Sequence, residues 1–589
     1  MPSRTTCQID KLDLDAKIAA QKIAIADIER KLWADGLNMT LLETYQAAFR
    51  ELEQLIATKG NDDRHSFVIV IPVADRPQHL TACLDSLLVL CKAFGYGGSS
   101  SGKYQKISVV IADDTRDPDN IARNQEIVRH FNQQGIATRY FGLSEQLALV
   151  DTLTATEKTS LSRVLGSAPR NAFSHKGQAI MRNIAYLKLS TMRGHDERLL
   201  FYTIDSDQEF KVKVSTAEGD RDVYAVNFFC QLNEIFTRTD TLILTGKVVG
   251  DPPVSPAVMA GNFLQDVNSF LREMAASGLQ RSCQHHQASA HKEGEASYHD
   301  MADLFGFKPA SEAYAYCCPL SGDHTDGDCF AHFASRLNSF FYGEHPTRVS
   351  YYLHAELFQS IQPARTVYTG NYIFRPEGLK YFIPFAPLRL RMSGPTLGRL
   401  IKSEIKERFV SANLPMLHKR TVEGSGQSEF RPGVSSEAHV IELCDEFERQ
   451  FYGDVMLFSI ECFTAMGFPQ TCMSAAVIAE TLEVVRADMQ QKYNAKHQLI
   501  VEKLGQLKSL LHDQANWWNQ TDLYAAAVKN FETFSANIAH NFGEDSPCYD
   551  QINSTENWEK WRSKLLEAVN CYPADSKTWS ETLATPRAA

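Results

Sequence analysis

Apolar residues at the start of the chain follow the three- and four-residue spacing of amphipathic helices. The pattern runs from Leu12 to about Ile56 and is interrupted at Gly36-Leu37-Asn38, a turn sequence. It predicts a helical hairpin within residues 1–62. We expect the hairpin to pack on the next domain; the alternative is pairing with a second subunit, which is less favoured because two short helices rarely sustain a coiled coil alone.

Short β-branched runs alternate with helical segments in residues 63–435. Amphipathic helices are predicted at Pro77–Phe94 and Lys176–Leu189. The strands are predicted at Ser66–Val73, Ile107–Ala112, Ala137–Phe141, Leu199–Ile204 and Leu242–Val249. Nearly continuous apolar strands separated by helices predict an α/β domain with a mostly parallel sheet covered on both faces. Ligands of such sheets bind at the carboxyl ends of the strands.

Helical periodicity with few strand signals characterises residues 436–589, which predicts an all-helical carboxy-terminal domain. The Gly- and Ser-rich stretch Val422–Ser436 is interpreted as the linker before it. The tail from Pro573 is expected to fray. The four helical segments are Ala438 to about Gly467, Met473–Leu511, Gln520–Ile538 and Trp558–Val569.

Composition narrows the class of protein. The chain has 589 residues, 60 Lys and Arg, 71 Asp and Glu, and a net charge of −11, with 44% hydrophobic and 22% charged residues. These values are typical of a soluble globular protein, and they make nucleic acid a poor first candidate as partner. No window approaches the roughly 20 apolar residues of a membrane span, and the first residues lack the pattern of a signal peptide. We therefore expect a cytoplasmic protein.

The 13 cysteines have irregular spacing and include no CxxC pair, so we expect reduced thiols and no disulfide framework. One region nevertheless concentrates the ligand types that zinc prefers. Its spacing matches no familiar tetrahedral knuckle, and the favoured interpretation is a His-rich loop followed by partly buried thiols, with structural zinc as the alternative. The residues are Cys283, His285, His286, His291, Cys317, Cys318, His324, Cys329 and His332.

Two carboxylates follow the fourth predicted strand directly, in Asp205-Ser206-Asp207. Residues i and i+2 of an extended chain point the same way, so both side chains can address one hard cation such as Mg²⁺ or Mn²⁺. The same tripeptide is also ordinary turn chemistry.

Two further polar groups occupy comparable positions. Asp113-Asp114 ends the second predicted strand, where a carboxylate can bind a nucleobase or a ribose hydroxyl, or can simply close an Asx turn. Lys176-Gly177 begins a helix, where the ammonium group can meet a phosphate; the alternative is a helix capped by Ser174.

The order of these motifs resembles that of family 2-like glycosyltransferases of the GT-A fold. The resemblance covers about residues 65–421. The matching segments are Ile71–Pro77 with Cys83–Leu88, Asp113-Asp114, Lys176-Gly177 with Arg182-Asn183, Asp205-x-Asp207, Gly370–Arg375, and Leu414–His418.

This resemblance implies a Rossmann-like GT-A domain and metal-dependent transfer of a sugar from a nucleotide-diphosphate sugar, such as a UDP- or GDP-sugar, to a glycan or small-molecule acceptor. It implies a Mn²⁺ or Mg²⁺ site at Asp205, Asp207 and His418. Gly370–Arg375 would line the acceptor side. The implied donor contacts are Pro72, Arg76, Asp113, Asp114, Lys176, Arg182, Asp205 and Ser206.

One departure concerns the catalytic base. Where inverting members of the family carry a Glu-Asp or Asp-Asp pair, this chain has Gly394-Pro395, neither of which accepts a proton. Either the base lies elsewhere or the enzyme is retaining. The alternative candidates for the base are Asp323, Asp326, Asp328 and Glu356.

Two other functions stay open. A sugar-phosphate nucleotidyltransferase would need a Gly-rich loop after the first strand, and Val73–Pro77 contains no glycine. A catalytically inactive nucleotide-binding scaffold would explain the missing acidic pair, although intact Asp207 and His418 argue against it. A homo-oligomer formed through the helical ends is possible, and the spacing from Pro72 to Asp205 implies an insertion at about residues 145–171.

Overall fold

The computed structural model describes residues 4–167, 169–193, 198–216, 219–253, 255–277, 281–285, 313–368, 370–420, 434–437 and 440–587, with side chains from residue 13 onwards. The strands are β1 (Ser66–Val73), β2 (Ser99–Ser100), β3 (Lys103–Tyr104), β4 (Ile107–Asp113), β5 (Ala137–Phe141), β6 (Leu199–Ile204), β7 (Gln208–Glu209), β8 (Val212–Thr216), β9 (Gly219–Val223), β10 (Ile243–Gly250), β11 (Gln362–Pro363), β12 (Asn371–Phe374), β13 (Phe409–His418), β14 (Ser435–Glu437) and β15 (Val440–Glu442).

The helices are numbered in the same way over the described residues. They are α1 (Arg4–Trp33), α2 (Met39–Lys59), α3 (Pro77–Phe94), α4 (Pro118–Gln133), α5 (Leu143–Asp151), α6 (Ala155–Ser160), α7 (Ser162–Leu165), α8 (Gln178–Ser190), α9 (Phe228–Arg238), α10 (Pro256–Ala276), α11 (Asp326–Arg336), α12 (Ser393–Ile405), α13 (Cys444–Ala465), α14 (Ala475–His512), α15 (Ala525–Phe542), α16 (Pro547–Asn553) and α17 (Thr555–Ala584).

The amino-terminal hairpin forms as its apolar pattern predicts. Asn38 caps α2 by accepting a hydrogen bond from the Leu41 backbone N–H at 3.1 Å, and Gly60 ends the helix in the left-handed conformation. The rings of Tyr45 and Phe49 in α2 pack edge-on against Phe94 of α3, with centroids 6.0 and 5.4 Å away. The hairpin therefore packs on the sheet domain, which is the favoured alternative.

The main sheet has the strand order β11-β13-β10-β12-β6-β1-β4-β5, and β7 pairs with β13. Neighbours β6, β1, β4 and β5 are parallel, as are β10 and β13. β12 is antiparallel to both β10 and β6. The α/β class is confirmed, but the sheet is mixed rather than mostly parallel. β12 spans only four residues, too few for its apolar pattern to predict a strand.

The five predicted strands lie where the sequence predicts them. β1, β5 and β6 have the predicted bounds, β4 extends one residue further, and β10 is shifted by one. β13 is buried at all ten positions but was not predicted, since polar residues and Pro415 interrupt its pattern. Asn371, in the segment expected to line an acceptor pocket, is instead buried within the sheet and donates to the backbone oxygens of Lys247 and Leu414 at 2.9 Å each.

Both faces of the sheet are covered by apolar side chains. Along β1, Phe67 and Ile69 contribute to the cluster that includes α2, α3 and α9, whereas Val68 and Val70 contribute to the cluster on the other face. That second cluster runs without a break through α8 and α10 into α13–α17. The carboxy-terminal helices therefore cover one face of the sheet.

The end of the chain does not fray as expected. α17 continues through Pro573 to Ala584, and Trp579 has no exposed surface. Its indole N–H donates to the Leu379 backbone oxygen at 3.4 Å. In the predicted insertion, Arg163 of α7 pairs with Asp575 of α17 at 2.8 Å. These contacts hold the last turns of α17 in place. They join segments far apart in the chain, so local composition does not predict them.

A disulfide joins Cys444, at the start of α13, to Cys548 in α16, with Cα atoms 4.7 Å apart. The expectation that all thiols are reduced is therefore wrong for this pair. The two residues are 104 positions apart, and only the packing of α13 against α16 brings them together. Within the described residues, no helix combines the length and apolar character that a bilayer crossing requires.

Candidate active site

A cavity of about 580 Å³ opens at the carboxyl ends of β1, β6 and β13. We call it the strand-end cavity. Its lining combines strand ends, the segment before α12 and the first turns of α13. The charged and hydroxyl-bearing residues among those described in the lining are Arg76, Asp114, His175, Arg182, Asp205, Ser206, Asp207, Thr366, Tyr368, Arg389, Arg391, Ser393, His418, Arg420, Asp445 and Arg449.

Asp207 lies at the centre of a charge cluster. Its Oδ2 accepts hydrogen bonds from the guanidinium groups of Arg76 and Arg420, each at 3.1 Å, and lies 3.7 Å from Nε2 of His418. Burial alone would raise the pKa of Asp207, but the charges of His418, Arg420 and Arg76 outweigh it and hold that pKa well below its usual range. The carboxylate is therefore ionised at neutral pH.

His418 ends β13, which runs parallel to β10 with Gly250 opposite His418. Its Nδ1 lies 2.5 Å from the backbone oxygen of Asp251. A carbonyl oxygen only accepts, so Nδ1 carries the hydrogen, and Nε2 faces Asp207. A backbone partner that fixes one ring nitrogen is the usual support of a metal-binding histidine.

Asp205 follows β6 and is held by α8. Its Oδ1 accepts hydrogen bonds from Arg182 at 2.5 Å and from the Gln178 amide at 3.2 Å. Burial raises the pKa of Asp205; the Arg182 guanidinium opposes this, and the charge of Asp207 adds to it. Gly370 permits the close approach here, because a Cβ at that position would lie 2.4 Å from the Gln208 side chain and 3.2 Å from Asp205 Oδ2.

Asp114 and Lys176 form a buried pair with Nζ and Oδ1 2.5 Å apart. The Lys176 ammonium also donates to the Phe173 backbone oxygen at 2.8 Å and lies over the Phe173 ring. Burial raises the pKa of Asp114 and lowers that of Lys176. Asp114 lines the cavity, whereas Lys176 does not and is occupied with Asp114. His175 lines the cavity beside them, 2.5 Å from Asp75.

The Asp113 carboxylate is hydrogen-bonded to neighbouring protein groups and does not face the cavity. Its carboxylate accepts hydrogen bonds from the Thr115 backbone N–H at 2.8 Å, from Asn124 at 3.0 Å and from the Tyr140 hydroxyl at 2.8 Å. It does not line the strand-end cavity. Pro72, Arg76, Arg182 and Ser206, by contrast, all line the cavity.

The strand-end cavity includes none of the four residues named as candidates for the catalytic base. Asp323 is exposed, and Asp326 is buried in the first turn of α11, 3.8 Å from His285. Glu356 is exposed in a loop whose neighbour His354 stacks on Trp33 of α1. Asp328, also considered, completes the capping box of α11.

Several lining residues were missed by the sequence interpretation. Arg389 and Arg391 precede α12, Arg420 lies two positions after His418, and Asp445 and Arg449 begin α13. The sequence did offer a signal for Arg420, because it lies two residues after His418, a predicted metal ligand. None existed for the α13 residues, which lie beyond the predicted linker. Six arginines line the cavity against four carboxylates, so the described lining favours a polyanionic ligand.

The donor set fits a divalent cation. Asp207 Oδ2 and His418 Nε2 lie 3.7 Å apart, and a carboxylate and an imidazole are donors that would hold an ion such as Mn²⁺. Asp205 lies further off, since the three ligand atoms do not form a group within 4.8 Å of one another.

Comparison with known protein families and with curated protein sequences finds no match for this chain. The assignment of a function therefore depends on the chemistry of the site.

Proposed function

We propose that this protein is a metal-dependent glycosyltransferase that moves a sugar from a nucleotide-diphosphate sugar to a hydroxyl-bearing acceptor. The fold class compatible with this activity is α/β, and the site lies at the carboxyl edge of its sheet. The observation that supports the activity best is the convergence of Asp205, Asp207 and His418 with six arginines in one cavity of about 580 Å³. Acidic metal ligands beside an excess of arginine suit a metal-bound diphosphate.

The chain's residues have separate parts in this reaction. Asp207 and His418 would hold the cation, with Asp205 beside them, and a bound cation would stabilise the charge on the leaving diphosphate. Arg76 and Arg420 lie within hydrogen-bond distance of Asp207 and are placed to bind diphosphate oxygens. Asp114, at the end of β4, is placed to accept hydrogen bonds from the nucleoside.

The acceptor side requires a proton acceptor if the transfer inverts the anomeric centre. The acceptor oxygen then bonds to the anomeric carbon, the bond to the diphosphate breaks with its electron pair leaving on the diphosphate, and the hydroxyl proton passes to a carboxylate. Four carboxylates belong to the described lining, and three of them, Asp114, Asp205 and Asp207, follow strands. The fourth is Asp445 of α13, whose side chain is 63% exposed. We assign it as the candidate base.

Calorimetric titration tests the donor site. UDP and GDP, each with and without Mn²⁺, are titrated into wild type, Asp207→Asn and the matched control Asp323→Asn, which removes an exposed carboxylate outside the cavity. We expect metal-dependent binding of one nucleotide, unchanged in Asp323→Asn and at least tenfold weaker in Asp207→Asn, because the variant loses a charged metal ligand.

Absence of nucleotide binding under all these conditions would contradict the proposed activity. Tight binding that is identical with and without metal would contradict the metal site but keep the nucleotide site. Metal-dependent binding without turnover over a broad acceptor panel would favour the inactive scaffold. Release of pyrophosphate from a nucleoside triphosphate would favour the nucleotidyltransferase.

A further inference from the structure

Four side chains of types that bind metals converge beside the start of α11, and none of them lines the strand-end cavity. They are Cys283, Cys318, His324 and Cys329, and we call them the thiol cluster. All four ligand atoms lie within 4.8 Å of one another. The sequence interpretation favoured a His-rich loop followed by partly buried thiols, with structural zinc as the alternative, because the spacing of the Cys and His residues in this region matches no familiar knuckle. The fold brings the residues together regardless of that spacing.

The distances between the ligand atoms are compatible with one shared ion and too long for a disulfide between any of the hydrogen-bonded pairs measured. Cys329 Sγ lies 3.3 Å from Cys283 Sγ and 3.4 Å from Cys318 Sγ, and Cys318 Sγ lies 3.2 Å from His324 Nε2. A disulfide requires about 2.05 Å. Tetrahedral zinc with Zn–S bonds of about 2.3 Å separates its sulfurs by about 3.7 Å. An outward movement of a few tenths of an ångström therefore accommodates the ion.

His324 is oriented for ligation. Its Nδ1 lies 2.7 Å from the Gly322 backbone oxygen, which can only accept, so the hydrogen is on Nδ1. Nε2 then presents its lone pair to Cys318. This is the same support by a backbone carbonyl that fixes metal-binding histidines in general.

The backbone frames the cluster independently of any ion. The Cys283 N–H donates to the His324 oxygen at 3.1 Å, and the Cys318 N–H faces the His285 oxygen at 3.4 Å. The His285 N–H donates to Cys283 Sγ at 3.3 Å, a contact that stabilises a thiolate. Cys329 lies in the first turn of α11, where the helix dipole favours negative charge.

We propose that Cys283, Cys318, His324 and Cys329 bind one structural Zn²⁺. Three thiolates and an imidazole complete a tetrahedral shell, which leaves no open position for a substrate, so the site is structural rather than catalytic. The ion would join the segment 281–285 to the segment 318–329. Residues next to the cluster, Tyr316 and Cys317, line a second cavity of about 280 Å³, whose wall the ion would hold. This inference is independent of the proposed glycosyl transfer.

Zinc content of the full-length, tag-free protein tests the site. The protein is purified under reducing conditions, equilibrated with excess zinc, dialysed against metal-free buffer and measured by plasma mass spectrometry. We expect one zinc per chain in wild type and in the matched control Cys317→Ser, whose thiol is adjacent but outside the cluster. Cys329→Ser is expected to lose the zinc.

Two further measurements test the zinc site even if the Cys329→Ser variant does not fold. In wild type, three more thiols should become reactive towards an alkylating reagent after chelation than before it. Replacement of zinc by Co²⁺ should give the intense visible spectrum of a tetrahedral ion with thiolate-to-metal charge transfer, and His324→Cys should keep the ion while adding a further thiolate band.

Three results would overturn the zinc site. They are a wild-type protein that holds no zinc after this equilibration, an unchanged zinc content in a folded Cys329→Ser variant, and a Co²⁺ spectrum without thiolate charge transfer. A mass two hydrogens lower than expected for the cluster peptides would also overturn it, since that would place a disulfide among these thiols instead.

Discussion

At the scale of single residues, the site is organised by how each carboxylate is neutralised. Asp205 is paired with Arg182 at the carboxyl end of β6, and Asp207 is shared by Arg76, Arg420 and His418. Arg182 and Asp207 are buried, so removing a partner of either leaves an uncompensated charge. Asp445 differs, because its partner Arg449 lies 3.3 Å away on the same helix and the carboxylate is largely in water. Pairs of that kind contribute little to stability.

Asp445→Asn therefore tests the base separately from the fold. We expect the turnover number to fall at least a hundredfold, since general base catalysis typically contributes that much, while nucleotide affinity and the melting temperature stay within error. The control is Asp550→Asn, an exposed carboxylate of α16. Steady-state kinetics with the acceptor identified from the panel provides the measurement. Unchanged turnover in Asp445→Asn would remove it as the base.

At the scale of elements, α13 and α14 enclose a polar group that links the helical region to the cavity. The Asp454 carboxylate accepts hydrogen bonds from Tyr493 at 2.5 Å and from Gln450 at 3.1 Å. Gln450 lines the strand-end cavity. Burial raises the pKa of Asp454 from 3.8 to about 6. Lys496, whose pKa burial lowers to about 7, keeps its charge below that pH.

This shift predicts how stability depends on pH. Between about pH 4 and pH 6 the unfolded chain releases the Asp454 proton while the folded chain keeps it, so the free energy of unfolding falls as pH rises. Two pKa units correspond to about 3 kcal/mol. In Asp454→Asn this contribution should disappear, whereas exposed Asp488→Asn should retain it. Urea unfolding of the three proteins across this interval measures the difference, and parallel curves for all three would contradict it.

Predictability from the sequence differs between elements for physical reasons. β1, β4 and β6 are long apolar runs, so their local pattern specifies them, and parallel strands necessarily bring Asp114, Asp205 and Asp207 to one edge. β13 has an interrupted pattern of its own and is a strand through its pairing with β10, β11 and β7. The α13 contribution and the thiol cluster depend on contacts between segments far apart in the chain, which no local pattern encodes.

At the scale of the whole molecule, the carboxy-terminal helices are part of the structure around the sheet. Their apolar side chains join the cluster on one sheet face, and α13 supplies part of the cavity wall. The division at residues 435 and 436 stays a prediction, and so does assembly into oligomers. A shared apolar cluster nevertheless implies that damage at the end of the chain is transmitted to the sheet.

Trp579→Ala tests that coupling. The side chain is fully buried in α17, so its removal should lower the free energy of unfolding by about 3 to 5 kcal/mol. Glu581→Ala, on the exposed side of the same helix, should change it little. Calorimetric melting and nucleotide titration of both variants distinguish the outcomes. A wild-type melting temperature in Trp579→Ala would show that α17 is dispensable for the core.

The strand order has a consequence for synthesis of the chain. β10 lies between β12 and β13, and both partners follow it along the chain, with about 170 residues between Gly250 and its neighbour His418. A ribosome adding 5–20 residues per second takes roughly 10–30 s over that stretch. Until β12 and then β13 have been made, the nascent chain carries an apolar strand with unpaired edges, a feature that chaperones recognise and that promotes aggregation when they are absent.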